Sequence, residues 1–482
     1  MFSTTTTVLC LLLFAAAFTI SGVLYARSER GSLEDYIIAR NSQSTTATML
    51  TLLATSLGGW ILFSPAQAAT WGGLAAVIGY ALGAASPRIL MIPLGRRMRE
   101  LIPQGHTLTE FVVLRYGRAM YLLTLLIMLF YMFIALTAEI TAIAKLVTLL
   151  APVPLWATAA IVMVSTLIYT AYGGLRASIV TDKVQMAVIV PLLLVLLALG
   201  WRAVGGIEPT VQGLRAQAPQ LLSLTDPMGV KAGLTFFVAI LLTGLFHQGN
   251  WQRVYSAQDN RSMRRGFLLA GVLVSPIIFL MGLFGLAFTG LGQGGDSSIA
   301  LFTVIMPHVP VWFAVALIPL GLALVMSTAD TVISAVSSLI AVDVRRVAPR
   351  VSGQVLMRLS RWLIFLLAIP VIIAAAQGYS VLYLFLLADL LCCAAAFPVF
   401  FGLFNPRHNG RIAFISTVCG LAAGLALFPA PGDRPEYLLE SFLLAVLVPA
   451  VVSLLALRLL RSLTHFDFNH LSSAVRSLDE GK

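Results

Sequence analysis

Charge is what this sequence has least of. Only 11% of its 482 residues are Asp, Glu, Lys or Arg, and the 20 acids are outnumbered by 31 bases. A chain this poor in charge cannot cover itself with a water-soluble surface, and 59% hydrophobic residues with a mean hydropathy of +0.94 place it among polytopic membrane proteins. Cysteine is scarce too. Cys10, Cys392, Cys393 and Cys419 all fall in apolar segments without disulfide or metal spacing, so they read as small packing residues. The six histidines are scattered and form no HExxH pair, and no cluster of His, Asp and Glu marks one face as an enzyme would. No GxxxxGK[ST] motif is present, which argues against an ATP-driven pump. Gly290–Gly295, GLGQGG, fits a dinucleotide fingerprint in letters only, because it follows an apolar span and opens no βαβ unit.

What the chain does have is apolar length. Segments long enough to span a bilayer occur at 5–25, 46–68, 71–95, 118–150, 154–173, 177–202, 231–254, 266–291, 309–341, 357–377, 380–403, 411–428 and 437–460. These make about 13 transmembrane helices with short loops. If the N-terminus lies outside and the loops alternate, only Arg202, Arg215, Lys231 and Arg434 of the 31 bases fall in outer segments, while Arg88 and Lys145 lie within spans. So lopsided a distribution predicts an N-terminus outside and a cytoplasmic C-terminus in the plasma (inner) membrane. The net charge of +11 therefore belongs to topology and not to nucleic-acid binding. No Lys or Arg precedes Arg27, so the first segment reads as a retained span and not as a signal peptide.

The most informative stretch is Gly321–Asp343, GLALVMSTADTVISAVSSLIAVD. At about 100° per residue Ser327, Thr331, Ser334 and Ser338 fall on one stripe, flanked by Thr328, Asp330 and Ser337. An Asp near the bilayer centre costs roughly 2.5–3.5 kcal/mol even on the lenient insertion scale, so it normally faces a cavity, an ion or a partner. The stripe reads as a cation ligand set or as helix–helix glue. A second feature is Ala54–Gln67, ATSLGGWILFSPAQ, where Gly58, Gly59 and Pro65 weaken a helix inside a span. Such breaks are tolerated where the freed carbonyls meet an ion, a cavity or protein, and close packing with a proline kink is the bland alternative. Third, Tyr169–Gln185 places Gly173 and Gly174 in an inner turn and sends Asp182 and Gln185 into the next span on one face.

Together, GGLRASIVTDKVQ, STADTVISAVSSLIAVD and GNWQRVYSAQD, with DYIIARNS before the second span and TLTEFVVLRYG after the third, resemble the sodium:solute symporter family. The resemblance runs from about 31 to 404. It implies an all-α integral membrane protein of the LeuT type, a 5+5 inverted repeat with one extra N-terminal and two extra C-terminal helices. The corresponding boundaries are an N-terminal helix and inner loop at 1–45, repeats at 46–202 and 231–404, an outer loop at 203–230 and C-terminal helices with a short tail at 405–482.

By motif position the family's Na⁺ site falls on Ala54, Leu57, Leu324, Ser327 and Thr328, and oxygen ligands suit such a hard cation. A second ion or proton site would use Asp182, Asp330 and Thr331. An acid at Asp330 departs from the paired hydroxyls of two-sodium members, and it carries a proton or holds an inner gate as alternatives. By fold analogy the solute would meet Gly59, Trp60, Phe63, Gln67, Tyr131, Glu139, Gln248, Trp251 and Asp389. The expected function is Na⁺-coupled uptake of a small polar organic solute by alternating access. A proton-coupled or uncoupled transporter on the same fold, and a transporter-like solute sensor, are the alternative readings.

Overall fold

The computed structural model describes residues 2–28, 32–348, 351–431, 435–460, 465–476 and 478. Arg30, Arg350, Arg434, Arg461 and Lys482, which enter the charge reading, lie outside the described residues. Among those described the chain is helical and has no strand, only an isolated bridge between Gln43 and Ala257. The first half contains α1 (Thr4–Ser28), α2 (Leu33–Ile37), α3 (Thr45–Ser56), α4 (Ser64–Leu101), α5 (Leu108–Tyr116), α6 (Arg118–Leu150), α7 (Leu155–Ala203) and α8 (Ile207–Gln217). The second half contains α9 (Pro227–Thr243), α10 (Gln248–Ser256), α11 (Asn260–Gly290), α12 (Ala300–Ile305), α13 (Val311–Val347), α14 (Gly353–Ala375) and α15 (Val381–Phe401). Two helices, α16 (Gly410–Leu425) and α17 (Leu438–Leu459), and a short α18 (Asn469–Ala474) follow.

Nine of the described helices are long and apolar enough to cross a membrane, or ten when the bent pair α9 and α10 is taken as one pass. The expectation of about thirteen differs at identifiable places. α4 and α7 are continuous runs of 38 and 49 residues, each interrupted by a glycine outside the helical region: Gly73 (φ 62°, ψ −159°) and Gly174 (φ 55°, ψ −146°). A Cβ at Gly73 would lie 2.5 Å from the Leu221 carbonyl oxygen, and one at Gly174 would lie 2.4 Å from that of Tyr36. Positive φ and close backbone approach together leave glycine as the residue that fits. Thirteen passes result only if both runs are divided at these glycines, α3 is joined to the first turns of α4, and the 16-residue α16 is included.

The break inside the second apolar segment lies where the glycines put it. Ser44 caps α3 by accepting from the Ala47 N–H at 3.3 Å. The helix ends at Ser56; Leu57 (φ −97°, ψ 71°) and Gly58 (φ −83°, ψ 178°) leave helical geometry, and a 3₁₀ turn spans Gly59–Leu62. Pro65 does not kink a helix here. It occupies the first turn of α4, where the missing N–H would have had no partner anyway.

A second break separates α9 from α10, which are bent 55° to one another. Its freed carbonyls are met by side chains, since Asn250 Nδ2 donates to Gly244 O at 2.8 Å and Trp251 Nε1 to Leu245 O at 2.7 Å. Unpaired backbone groups are costly away from water, which is why these two polar side chains turn back onto the bend. α13 runs through the middle of the bundle. Its most apolar stretch is 78% buried, against 22% for α17.

Candidate ion and solute site

The two halves meet where the open end of α3 faces the serine-rich turn of α13. Ser327 Oγ donates to Leu324 O at 2.9 Å and across the gap to Ala54 O at 3.2 Å. Thr328 Oγ1 donates to Leu324 O at 3.3 Å and to Thr55 O at 3.4 Å. All five residues are buried. Four of the expected ligand residues, Ala54, Leu324, Ser327 and Thr328, therefore converge, joined by the Thr55 carbonyl, which the sequence reading had not named. Leu57 lies buried at the α3 end, its N–H held by Leu53 O. An arrangement of carbonyls and hydroxyls with no nitrogen or sulfur suits a hard monovalent or divalent cation.

One turn further along α13 lies a cluster of opposite character. Asp330 accepts from Ser178 Oγ at 2.7 Å, Tyr169 OH at 2.8 Å and Thr181 Oγ1 at 3.0 Å. Asp182 accepts a hydrogen bond from the Thr51 hydroxyl, and its other oxygen, Oδ1, has no partner. Into this group reaches Arg253 of α10, fully buried, with Nη2 donating to Thr331 Oγ1 at 2.9 Å and Thr51 Oγ1 at 3.0 Å and lying 3.5 Å from Asp182 Oδ2. Asp182, Asp330 and Thr331 are thus neighbours, but they share their space with a guanidinium. The remaining stripe serines pack. Ser338 Oγ turns back to Ala335 O at 2.7 Å, and Ser334 O takes Gln252 Nε2 at 3.4 Å.

Beside the first cluster is a cavity of about 110 Å³, bordered by Thr55, Ser56 and Thr328 on the ion side. Trp60, Tyr131, Glu139 and Asp389 also line it, as the fold analogy expects. Gly59 does not border the cavity; its N–H donates to Glu139 Oε2 at 2.7 Å, so this carboxyl group bridges α6 to the broken helix. Phe63, Gln67, Gln248 and Trp251 do not line this cavity, and each has another occupation. Phe63 packs on Phe302, with ring centroids 5.1 Å apart, and Gln67 accepts from Ser380 Oγ at 2.9 Å in a separate pocket. Gln248 Nε2 donates to His106 O at 2.8 Å while its Oε1 accepts from the Leu108 N–H at 3.2 Å. Trp251 closes the bend described above and stacks on Phe400. Tyr80, Arg88, His247 and Phe385, which no sequence motif marks, and Asn250 border the cavity from α4, the α9–α10 bend, α10 and α15.

The loop that receives Gln248 holds a paired histidine. His106 is fully buried; Nε2 lies 2.8 Å from Glu34 Oε2 and Nδ1 lies 3.1 Å from Glu110 Oε1. Burial disfavours the charged imidazole, yet the two carboxylates outweigh it and raise its pKa to about 9. Glu34 is likewise opposed by burial, but His106 and Arg40 hold it down at about 2.

The sodium:solute symporter family model matches residues 36–420. A spermidine transporter of Candida albicans is 26% identical over 416 residues, covering 86% of this chain and 78% of the relative. The human sodium/glucose cotransporter 4 is 26% identical over 475 residues, covering 86% and 69%. Among solved structures, a Na⁺-coupled sialic acid symporter in a substrate-bound outward-open state superposes with a TM-score of 0.77 at 19% identity, over 95% of this chain and 99% of the other. That likeness shows the fold, a LeuT-type helical bundle. With two broken helices, an oxygen-lined gap at the end of one of them, and a family model covering most of the chain, this multi-pass membrane protein belongs to the sodium:solute symporter family.

Proposed function

We propose that this chain carries a small polar organic solute into the cell together with Na⁺, the ion being held by Ala54, Leu57, Leu324, Ser327 and Thr328. The single observation behind the assignment is the convergence of Ser327 and Thr328 hydroxyls on the carbonyls at the open end of α3. A Na⁺ ion placed among these oxygens would replace hydroxyl–carbonyl bonds with stronger ion–oxygen contacts and tie α13 to α3. Thr55 and Thr328 also border the cavity, so ion and solute share residues. Shared residues give each ligand a stake in the same arrangement, which coupling requires.

Within this reading the repeats occupy 46–202 and 231–404, flanked by 1–45, 203–230 and 405–482. The N-terminus lies outside and the C-terminus in the cytoplasm, in the plasma (inner) membrane. The Asp182–Asp330–Thr331 group serves as a charge network around Arg253, and Na⁺ binds once per cycle. Relatives named for spermidine and glucose support an organic solute without choosing one.

The test is Na⁺ binding itself. Purified protein should melt at a higher temperature in NaCl than in KCl of equal ionic strength, because a ligand that binds only the folded state stabilises it. The double variant Ser327→Ala, Thr328→Ala should lose that difference while inserting normally; an undiminished difference overturns the site.

A further inference from the structure

The central cavity is lined by two carboxyl groups that no ion pair among the described residues neutralises. Asp389 and Glu139 both border it, and among the described residues neither forms an ion pair. Glu139 gives one oxygen to the Gly59 N–H, and the other, Oε1, is buried with no partner at all. The one lysine or arginine on the cavity wall is Arg88, and it is already engaged, with Nη1 on the Ala84 carbonyl and Nη2 on the Ser56 hydroxyl. Two carboxyl groups outnumber the one guanidinium beside them, and ionising both inside a membrane protein is costly unless something else brings positive charge.

The walls say what form that charge takes. Trp60 stacks on Tyr80 at 5.7 Å between centroids and meets Phe385 edge-on at 6.3 Å, and Tyr131 also lines the cavity. Aromatic faces beside a carboxyl group attract an organic cation through the negative face of each ring.

We propose that the transported solute is a compact organic cation, an ammonium or amidinium on a short carbon frame, with Asp389 as its counter-ion and Trp60, Tyr80, Tyr131 and Phe385 as its cage. This rests on the Na⁺-coupled transport reading above and adds the solute class to it. The alternative occupant, a zwitterion, would set its carboxylate on Arg88, whose Nε is buried without a partner.

The experiment measures thermal stability of the purified full chain in NaCl, with choline, putrescine, glycine betaine, acetate or glucose added at equal concentration. Choline or putrescine should raise the melting temperature by a few degrees, and the other three should not. Asp389→Asn should abolish the cation response while keeping the NaCl-over-KCl difference. Should that variant fail to fold, Trp60→Leu against Trp60→Phe serves instead, with the leucine losing more of the cation response than the phenylalanine. A larger rise with glycine betaine, acetate or glucose overturns the proposal, as does an undiminished response in Asp389→Asn or equal responses in the two Trp60 variants. A clear Na⁺ response with no response to either cation sinks the solute class alone, whereas loss of the Na⁺ response in the unmodified protein sinks the coupling reading beneath it.

Discussion

Ser327 on α13 donates its hydroxyl to the Ala54 carbonyl at 3.2 Å, beside the bond from Thr328 to the Thr55 carbonyl that joins the same two helices. The contact exists because α3 stops at Ser56 and leaves its last carbonyls without N–H partners. Ser327→Ala removes an oxygen but adds no bulk. It should raise the Na⁺ concentration needed for half-maximal uptake by tenfold or more, equivalent to about 1.4 kcal/mol or more of lost binding. Uptake kinetics in a Na⁺ titration check this, and an unchanged half-saturation point refutes it.

Gly58 is packed against Glu139, whose Oε1 would lie 2.3 Å from any added Cβ. The neighbouring carboxylate oxygen holds the Gly59 N–H and so cannot withdraw freely. Gly58→Ala should therefore destabilise the protein by about 1–3 kcal/mol. Combining it with Glu139→Ala should cost less than the two single changes added together, and a melting-temperature double-mutant cycle reads the difference.

Arg253 is buried with the hydroxyls of Thr51 and Thr331 and the Asp182 carboxylate around its guanidinium. Arg253→Met strands Asp182 and should destabilise by roughly 3–5 kcal/mol. Arg253→Met with Asp182→Asn together should recover part of that loss. With the guanidinium in place, Na⁺ activation of uptake should follow a Hill coefficient near one, and a coefficient approaching two would show a second ion in the cluster.

The His106 network predicts a pH dependence of definite sign. His106 has its pKa raised to about 9 from the ordinary imidazole range, so its stabilisation is complete below about 6.5 and is lost as pH rises through 9. Glu34 is lowered to about 2, so its share is present above the ordinary carboxylate range and is lost as pH falls through 2. Stability from this pair should peak between about pH 5 and 6.5. Melting curves from pH 6 to 9.5 should fall for the native chain and flatten for His106→Gln.

Much of the candidate ion site was legible in the sequence. Ser327 and Thr328 stand out because hydroxyls at helical spacing are conspicuous in an apolar span, and Gly58–Gly59 because adjacent glycines break a helix wherever they fall. The cavity was only half legible. Gly59–Leu62 forms a 3₁₀ turn, and four residues at three per turn advance the phase by roughly 80° relative to an α-helix, which carries Phe63 and Gln67 off the expected face. Gln248 and Trp251 were placed by analogy with a broken helix, but polar side chains beside such a break are drawn to its freed backbone groups and neighbouring loop. Tyr80, Arg88 and Phe385 sit in long uniform apolar runs where periodicity carries no signal about which way a residue faces.

The bend between α9 and α10 has a mechanical consequence. No helical backbone continues through it, so force along α9 is not transmitted lengthwise into α10. Sideways, α10 is riveted: Gln248 to the loop before α5, Gln252 to the Ile37 carbonyl, Arg253 to Thr51 of α3 and Thr331 of α13. This nine-residue helix thus behaves as a bolt, with its shank against the segments at Ile37 and His106 and its head in the charge network. Opening that end of the bundle means drawing the bolt, and the barrier is set by how many of these bonds must break at once.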